Sequence, residues 1–319
     1  MENKENIGAQ YEPSQSLHLS VPAISYETGQ PSEEWSFRRG EVPRVEKFTV
    51  EVDNYGSSVG VTYQPPKSLE TEVKTAVILS PGFTAGSLSF YGIQKALAGN
   101  NIPSYSLDHH RKYDHKVTVQ EVHAINDLAV MGDAYNRHHF EKFILVGWSM
   151  GGGDILHATE MSGITRYDTV EQLILLEAMG QIKGDTFSSV AKKMTKAVIE
   201  DFKLTRKLPL KERFLIARAA LDSMKRASKN LNQTAAEAQY AASFDIRELI
   251  KESIKNNIPV SQITGHLDMA FPAVDCHRDT SDIEFKRRVV LVGQYATHIA
   301  GMFVPRSTAK AIEACCETL

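Results

Sequence analysis

The 319-residue sequence predicts an α/β protein with a mostly parallel central sheet, helices on both of its faces and one inserted block of helices. Three observations point there. Short, wholly apolar runs recur with helical segments between them, the pattern of parallel strands buried on both faces. One of these runs, Phe143 to Val146, passes through Gly147-Trp148-Ser149-Met150-Gly151 into residues able to start a helix. Residues 181 to 256 lack strand-like runs and carry periodic apolar positions in a lysine-rich sequence, which marks a helical insertion.

In chain order, residues 1 to 45 are rich in Glu, Ser, Gln, Asn and Pro with few apolar clusters, so a polar, mobile or surface-draped extension is expected there. Phe48 to Val52 and Val59 to Tyr63 alternate apolar and polar residues around Asn54-Tyr55-Gly56-Ser57-Ser58, a hairpin signature. The buried strands follow at Thr75 to Leu79, Ile102 to Leu107, Phe143 to Val146, Leu173 to Leu176, Val260 to Ile263 and Val289 to Val292. A helix is expected from about Val119, and a terminal helix is entered through Pro305. Inside the insertion, Phe214, Leu215, Ala217 and Leu221, then Ile246, Leu249, Ile250 and Ile254, have helical spacing. The domain plan is an extension at 1–45, a core at 46–180 and 257–319, and the insertion at 181–256.

A hydrophobic content of 42% lets a chain of this length bury a full core. The net charge of −3 argues against a dedicated nucleic-acid binder. The insertion alone holds sixteen Lys or Arg against nine Asp or Glu, a surplus read as solvated helix faces. No run approaches the ~18 apolar residues of a membrane span, and the start is polar, so a soluble, cytoplasmic protein is expected. Three cysteines without Cys-x-x-Cys spacing suit reduced thiols better than a disulfide framework or a zinc site.

The chemistry centres on Gly-x-Ser-x-Gly. A tight turn between strand and helix strains the serine backbone and needs small neighbours so that the two elements can pass closely. Ser149 is therefore the candidate nucleophile. A neutral serine needs a base to take its proton, a carboxylate to orient that base and donors for the developing oxyanion. His298, in the loop after the last strand, is the candidate base; Asp268, in the loop after Val260 to Ile263, is the candidate acid, with Glu177 as its rival. The backbone amides of Met150 and of Phe83, in Ser80-Pro81-Gly82-Phe83-Thr84-Ala85-Gly86, are the expected oxyanion donors. Trp148, His109, His266 and Phe271 stand where they could line a pocket. Asp108, His109, His110, Asp114 and His115 bear metal-ligating groups, but their irregular spacing on one loop suits a solvated or pocket-lining role, and no metal is expected.

From about residue 46 to 319 the chain resembles an α/β-hydrolase-fold serine hydrolase with a helical cap. Gly-Trp-Ser149-Met-Gly-Gly resembles that family's nucleophile elbow, Pro81-Gly82-Phe83 its His-Gly-x oxyanion loop with Pro81 in place of the histidine, and Gly265-His266-Leu267-Asp268 its late acid loop. Asp108-His109-His110-Arg111 resembles its Asp-x-Arg-Gly-His-Gly loop. The resemblance implies an esterase-like or lipase-like enzyme acting on a small acyl substrate without a cofactor. Thioesters, amides, lactones, carbon–carbon bonds, transfer to another acceptor and a non-catalytic ligand-binding role use the same framework and stay open.

Overall fold

The computed structural model describes residues 21–37, 42–52, 57–68, 73–109, 118–161, 169–229, 231–243 and 245–316. Nine strands form one sheet: β1 (Ala23–Glu27), β2 (Glu46–Val52), β3 (Ser57–Gln64), β4 (Thr75–Ser80), β5 (Ser104–Asp108), β6 (Lys142–Trp148), β7 (Val170–Leu176), β8 (Val260–Gly265) and β9 (Arg287–Val292). Their order across the sheet is β1-β9-β8-β7-β6-β4-β5-β3-β2. The hairpin β2–β3 is antiparallel and β3 pairs antiparallel with β5, while every other pairing is parallel.

The apolar runs make sense on this sheet because successive side chains point to opposite faces. Ala76 and Ile78 of β4 join one core layer; Val77 and Leu79 join the other. The first layer is covered by α3 (Val119–His138), α4 (Gly151–Met161) and α8 (Arg247–Lys255), through Val130, Met131, Ile155, Leu156 and Ile250. The second is covered by α2 (Tyr91–Gly99), α10 (Ala300–Phe303) and α11 (Pro305–Cys315), through Ile93, Leu97, Phe303 and Ile312. The α3 helix starts where expected for a local reason. The Thr118 side chain accepts from the Glu121 amide while the Glu121 carboxylate accepts from the Thr118 amide, a capping box.

Between β7 and β8 lie four helices, α5 (Phe187–Thr205), α6 (Leu210–Lys229), α7 (Leu231–Ser243) and α8. The last of these belongs to the core, since Ile246 and Ile250 are fully buried with Leu156 and Val260. The charged surface of α8 disguises that allegiance in the sequence.

Within the first 45 residues, the described segment 21–37 is not simply draped over the surface. Ala23 to Glu27 form an edge strand in register with Arg288 to Val292 of β9, because strand addition is satisfied by backbone groups and needs no apolar run. The short helix α1 (Pro31–Glu34) then fastens to α11. The buried Glu34 carboxylate accepts from the Ser307 amide at 2.8 Å, in the first turn of α11, where a negative charge is favoured. All three cysteines are buried and unpaired. Among the described residues no helix is long and apolar enough to cross a membrane.

Candidate active site

The chain order reverses at β4. From there the sheet grows through β5 in one direction and through β6 in the other, which opens a crevice at the carboxyl ends of β4 and β6. Ser80, last in β4, pairs with Gly147 of β6, so the loop after β4 and the turn after β6 emerge side by side.

That turn holds Ser149 at φ 55°, a left-handed conformation that is strained for a side-chain-bearing residue. The Ser149 amide donates to the Leu176 carbonyl at 3.1 Å and its carbonyl accepts from Met179 at 3.2 Å, which over-determines the turn. A Cβ on Gly147 would run into the Gly151 carbonyl, so the elbow admits no larger residue there. In the facing loop, a Cβ on Gly82 would stand 2.9 Å from the Cβ of Ser149. Glycine is what lets the backbone of Gly82-Phe83 approach the hydroxyl.

Ser149 Oγ lies 3.0 Å from His298 Nε2, and His298 Nδ1 lies 3.0 Å from Asp268 Oδ2. The other Asp268 oxygen accepts from the Ala270 amide at 2.7 Å and the Phe271 amide at 3.0 Å, which fixes the carboxylate. Serine and imidazole are only 3% and 4% exposed. Burial pulls the His298 pKa down, but the charge and hydrogen bond of Asp268, aided by Asp201, outweigh it and leave the pKa raised above 6.5. The structure thus brings Ser149, His298 and Asp268 into one line. Among the described residues neither the Phe83 nor the Met150 amide has an acceptor, which leaves both donors free beside the serine.

Trp148 and Phe271 flank the imidazole, with ring centroids 5.9 and 5.2 Å from it, and the Trp148 indole N–H donates to the His298 carbonyl at 2.9 Å. Two expected pocket residues have other partners. His266 is half-buried and its Nδ1 accepts from the Gly293 amide, beside the end of β9. His109 is buried against Ser80, Asp127, Asp154 and His123. His110, Asp114 and His115 lie outside the described residues.

Glu177, the rival acid, is also buried near the site. Desolvation and then the charge of Asp268 push its carboxyl well above the usual range. Sequence reasoning missed Asp201 of α5. Burial lifts its carboxyl to about 6, against the opposing pull of Thr297 and His298. No local motif announces Asp201, because only the packing of α5 brings it to the His298 loop.

An apolar cluster roofs the elbow. Val190 and Ala197 of α5 and Tyr240 and Ala241 of α7 pack with Met150, Met179 and Phe271, and Phe83 and Met194 border them. On the other side Thr84 hydrogen-bonds Ser223 of α6, and Arg226 of α6 pairs with Asp108 at 2.8 Å. The inserted helices are therefore tied to both the β4 and β5 loops.

A mostly parallel sheet with a strained serine at the carboxyl end of β6, and with helices interposed before β8, defines the α/β-hydrolase fold. Solved structures similar to the chain have that fold. An esterase from Exiguobacterium antarcticum matches with TM-score 0.60 and 14% identity, over 84% of this chain and 98% of its own. A bromoperoxidase from Bacillus anthracis matches with TM-score 0.57 and 15% identity, over 85% and 99%. A thermophilic esterase from Thermogutta terrifontis matches with TM-score 0.55 and 15% identity, over 84% and 97%. No protein-family model matches the sequence, and no curated protein matches it.

Proposed function

We propose that the protein is a serine hydrolase that cleaves a carboxylic ester, or a related acyl compound, through an acyl-enzyme. The observation that carries this reading is the line Ser149 Oγ, His298 Nε2 and Asp268 at 3.0 Å spacings. His298 takes the serine proton as Oγ attacks the substrate carbonyl, and Asp268 holds the imidazole in the tautomer whose Nε2 accepts. Negative charge on the carbonyl oxygen falls to the amides of Phe83 and Met150, the backbone donors on the two loops that meet at the serine. Protonated His298 then returns its proton to the leaving alkoxide. A water deprotonated by the same nitrogen releases the acid.

Helices α5, α6 and α7 of the insertion act as a cap over this centre. Their apolar contact with Met150, Phe83 and Phe271 supports a substrate whose acyl group is apolar. The esterases among the similar structures support the ester class.

The direct test is labelling with a fluorophosphonate probe. The wild-type chain incorporates one probe at Ser149, and Ser149→Ala incorporates none. A folded wild-type chain that stays unlabelled overturns the reading. Esters of graded chain length, run beside amide and thioester substrates, then set the acyl class.

A further inference from the structure

The helices inserted between β7 and β8 present an outer face that the proposed chemistry does not use. Thirteen large apolar side chains are exposed among the described residues, and eight of them lie on α5, α6 and α7. So concentrated a set is unlike the single exposed apolar residues normal for a protein surface. Its axis is α6. Leu210, Phe214, Ala217, Leu221 and Met224 fall at i, i+4, i+7, i+11 and i+14, one stripe along the helix. The four large side chains of the stripe are 65% to 82% exposed, while Ile216 and Ala219 on the opposite side of the helix are buried. On α5, Val198, Ile199 and Phe202 lie away from the buried Ala197 and Asp201 and are likewise exposed.

Basic side chains border the stripe. Lys211, Arg218 and Lys225 recur every seven residues along one flank of α6, Lys229 continues the line, and all four are exposed. From Phe187 to Lys229 the chain carries twelve Lys or Arg against four Asp or Glu. Each of those four acids is buried or paired: Asp201 and Glu212 are buried, Glu200 pairs with Lys203, and Asp222 pairs with Arg226. The whole chain nonetheless has a net charge of −3, so positive charge is segregated onto this side of the molecule.

We propose that α6, with the outer side of α5, docks peripherally on an anionic phospholipid bilayer. The apolar stripe enters the boundary between headgroups and acyl chains, and the basic flank meets the lipid phosphates. A helix that is apolar along one line and basic beside it lies in the plane of such an interface, and anionic lipid strengthens the contact through each Lys or Arg near the surface. Charge selects the bilayer over a second copy of the chain. Two α6 stripes packed against each other would bring Lys211, Arg218 and Lys225 against the same residues or against Arg213, with no acid on either flank to pair with them. The inner side of α6 hydrogen-bonds Thr84 through Ser223 and pairs with Asp108 through Arg226, so the docked face lies on the cap side of the crevice.

Co-sedimentation of the full chain with vesicles tests this without reference to turnover. Vesicles of phosphatidylcholine alone are compared with vesicles holding about one-third phosphatidylserine, and the anionic ones should bind about tenfold tighter or more, less so as salt rises. Lys211→Gln, Arg218→Gln and Lys225→Gln together should weaken that binding by about a hundredfold. Phe214→Ser with Leu221→Ser should weaken it by about tenfold at unchanged charge. All five side chains are exposed, so the variants should melt like wild type, which separates a lost contact from a lost fold. Should a variant fail to fold, quenching by brominated acyl chains, stronger in Phe214→Trp than in wild type, reports the insertion with the charges intact. Absence of binding to the anionic vesicles overturns the proposal. So does undiminished binding by folded Phe214→Ser with Leu221→Ser, which would be charge attraction alone. A wild-type dimer in analytical sedimentation that the same two substitutions dissolve would make a second copy the occupant and overturn it as well.

Discussion

At the scale of single residues, the two carboxyl groups near His298 differ in their surroundings. Asp268 accepts two backbone amides and faces Nδ1, so it is fixed where the proposed mechanism needs the imidazole oriented. Glu177 does not face Nδ1, and burial and then the charge of Asp268 raise its carboxyl well above the usual range. Asp268→Asn should therefore lower kcat by about 10^4-fold, whereas Glu177→Gln, at a carboxyl that does not face the imidazole Nδ1, should change it less than about threefold. Steady-state kinetics on one ester substrate compare the two, and a larger loss in Glu177→Gln would reverse the roles. The pH profile belongs at the same scale. In the proposed mechanism His298 must be neutral to accept the serine proton, and its pKa is raised in the free protein. The kcat/KM of the wild type should thus fall as pH drops through a value above 6.5, with activity full on the alkaline side. A midpoint below 6.5 would contradict the coupling to Asp268.

At the scale of elements, the parallel strands were legible because burial on both faces writes itself as an unbroken apolar run. Six such runs coincide with β4 to β9, and the alternating hairpin coincides with β2 and β3. Ser149, Asp268 and His298 were legible for a related reason, since each follows a readable strand. What escaped was whatever depends on packing between elements. The edge strand β1 pairs through its backbone; His123 and Asp154 meet only because α3 lies against α4; Asp201 reaches the site only on α5. Helix α6 shows the converse, a periodic signal with another meaning. Leu210, Phe214, Leu221 and Met224 are spaced like a core face, yet they are exposed, Phe214 at 68%. The inward positions are Ile216 and Ala219 instead. Phe214→Ser should then alter unfolding free energy by no more than about 0.5 kcal/mol, against 1 to 3 kcal/mol or more for Ile216→Ala. Denaturant melts of the two variants measure the difference, and equal losses would mean that Phe214 is covered in solution.

At the scale of the whole molecule, the sheet closes its far edge with residues that composition alone assigns to a tail. β1 matches β9 over five residues, and the Thr28 amide continues the ladder to the Val292 carbonyl at 2.8 Å. The same β9 leads into the loop that carries His298, and Glu34 holds the first turn of α11 just beyond it. Removing residues 1–37 would strip the hydrogen-bonding partners from β9 and expose a strand edge, a template for pairing with other chains. It would also leave the Ser307 amide without its carboxylate. The shortened chain should unfold at a temperature lower by on the order of 5 °C or more and should scatter light on standing at concentrations where the full chain stays clear. Because the His298 loop hangs from the uncovered strand, ester turnover should fall further than Ser149 labelling, which needs only the elbow and a transiently placed base. A chain shortened only to residue 21 keeps β1 and α1 and should behave as the full protein does. If the 1–37 deletion melted and turned over like wild type, the edge strand would be decoration, and the sheet would be complete at β9.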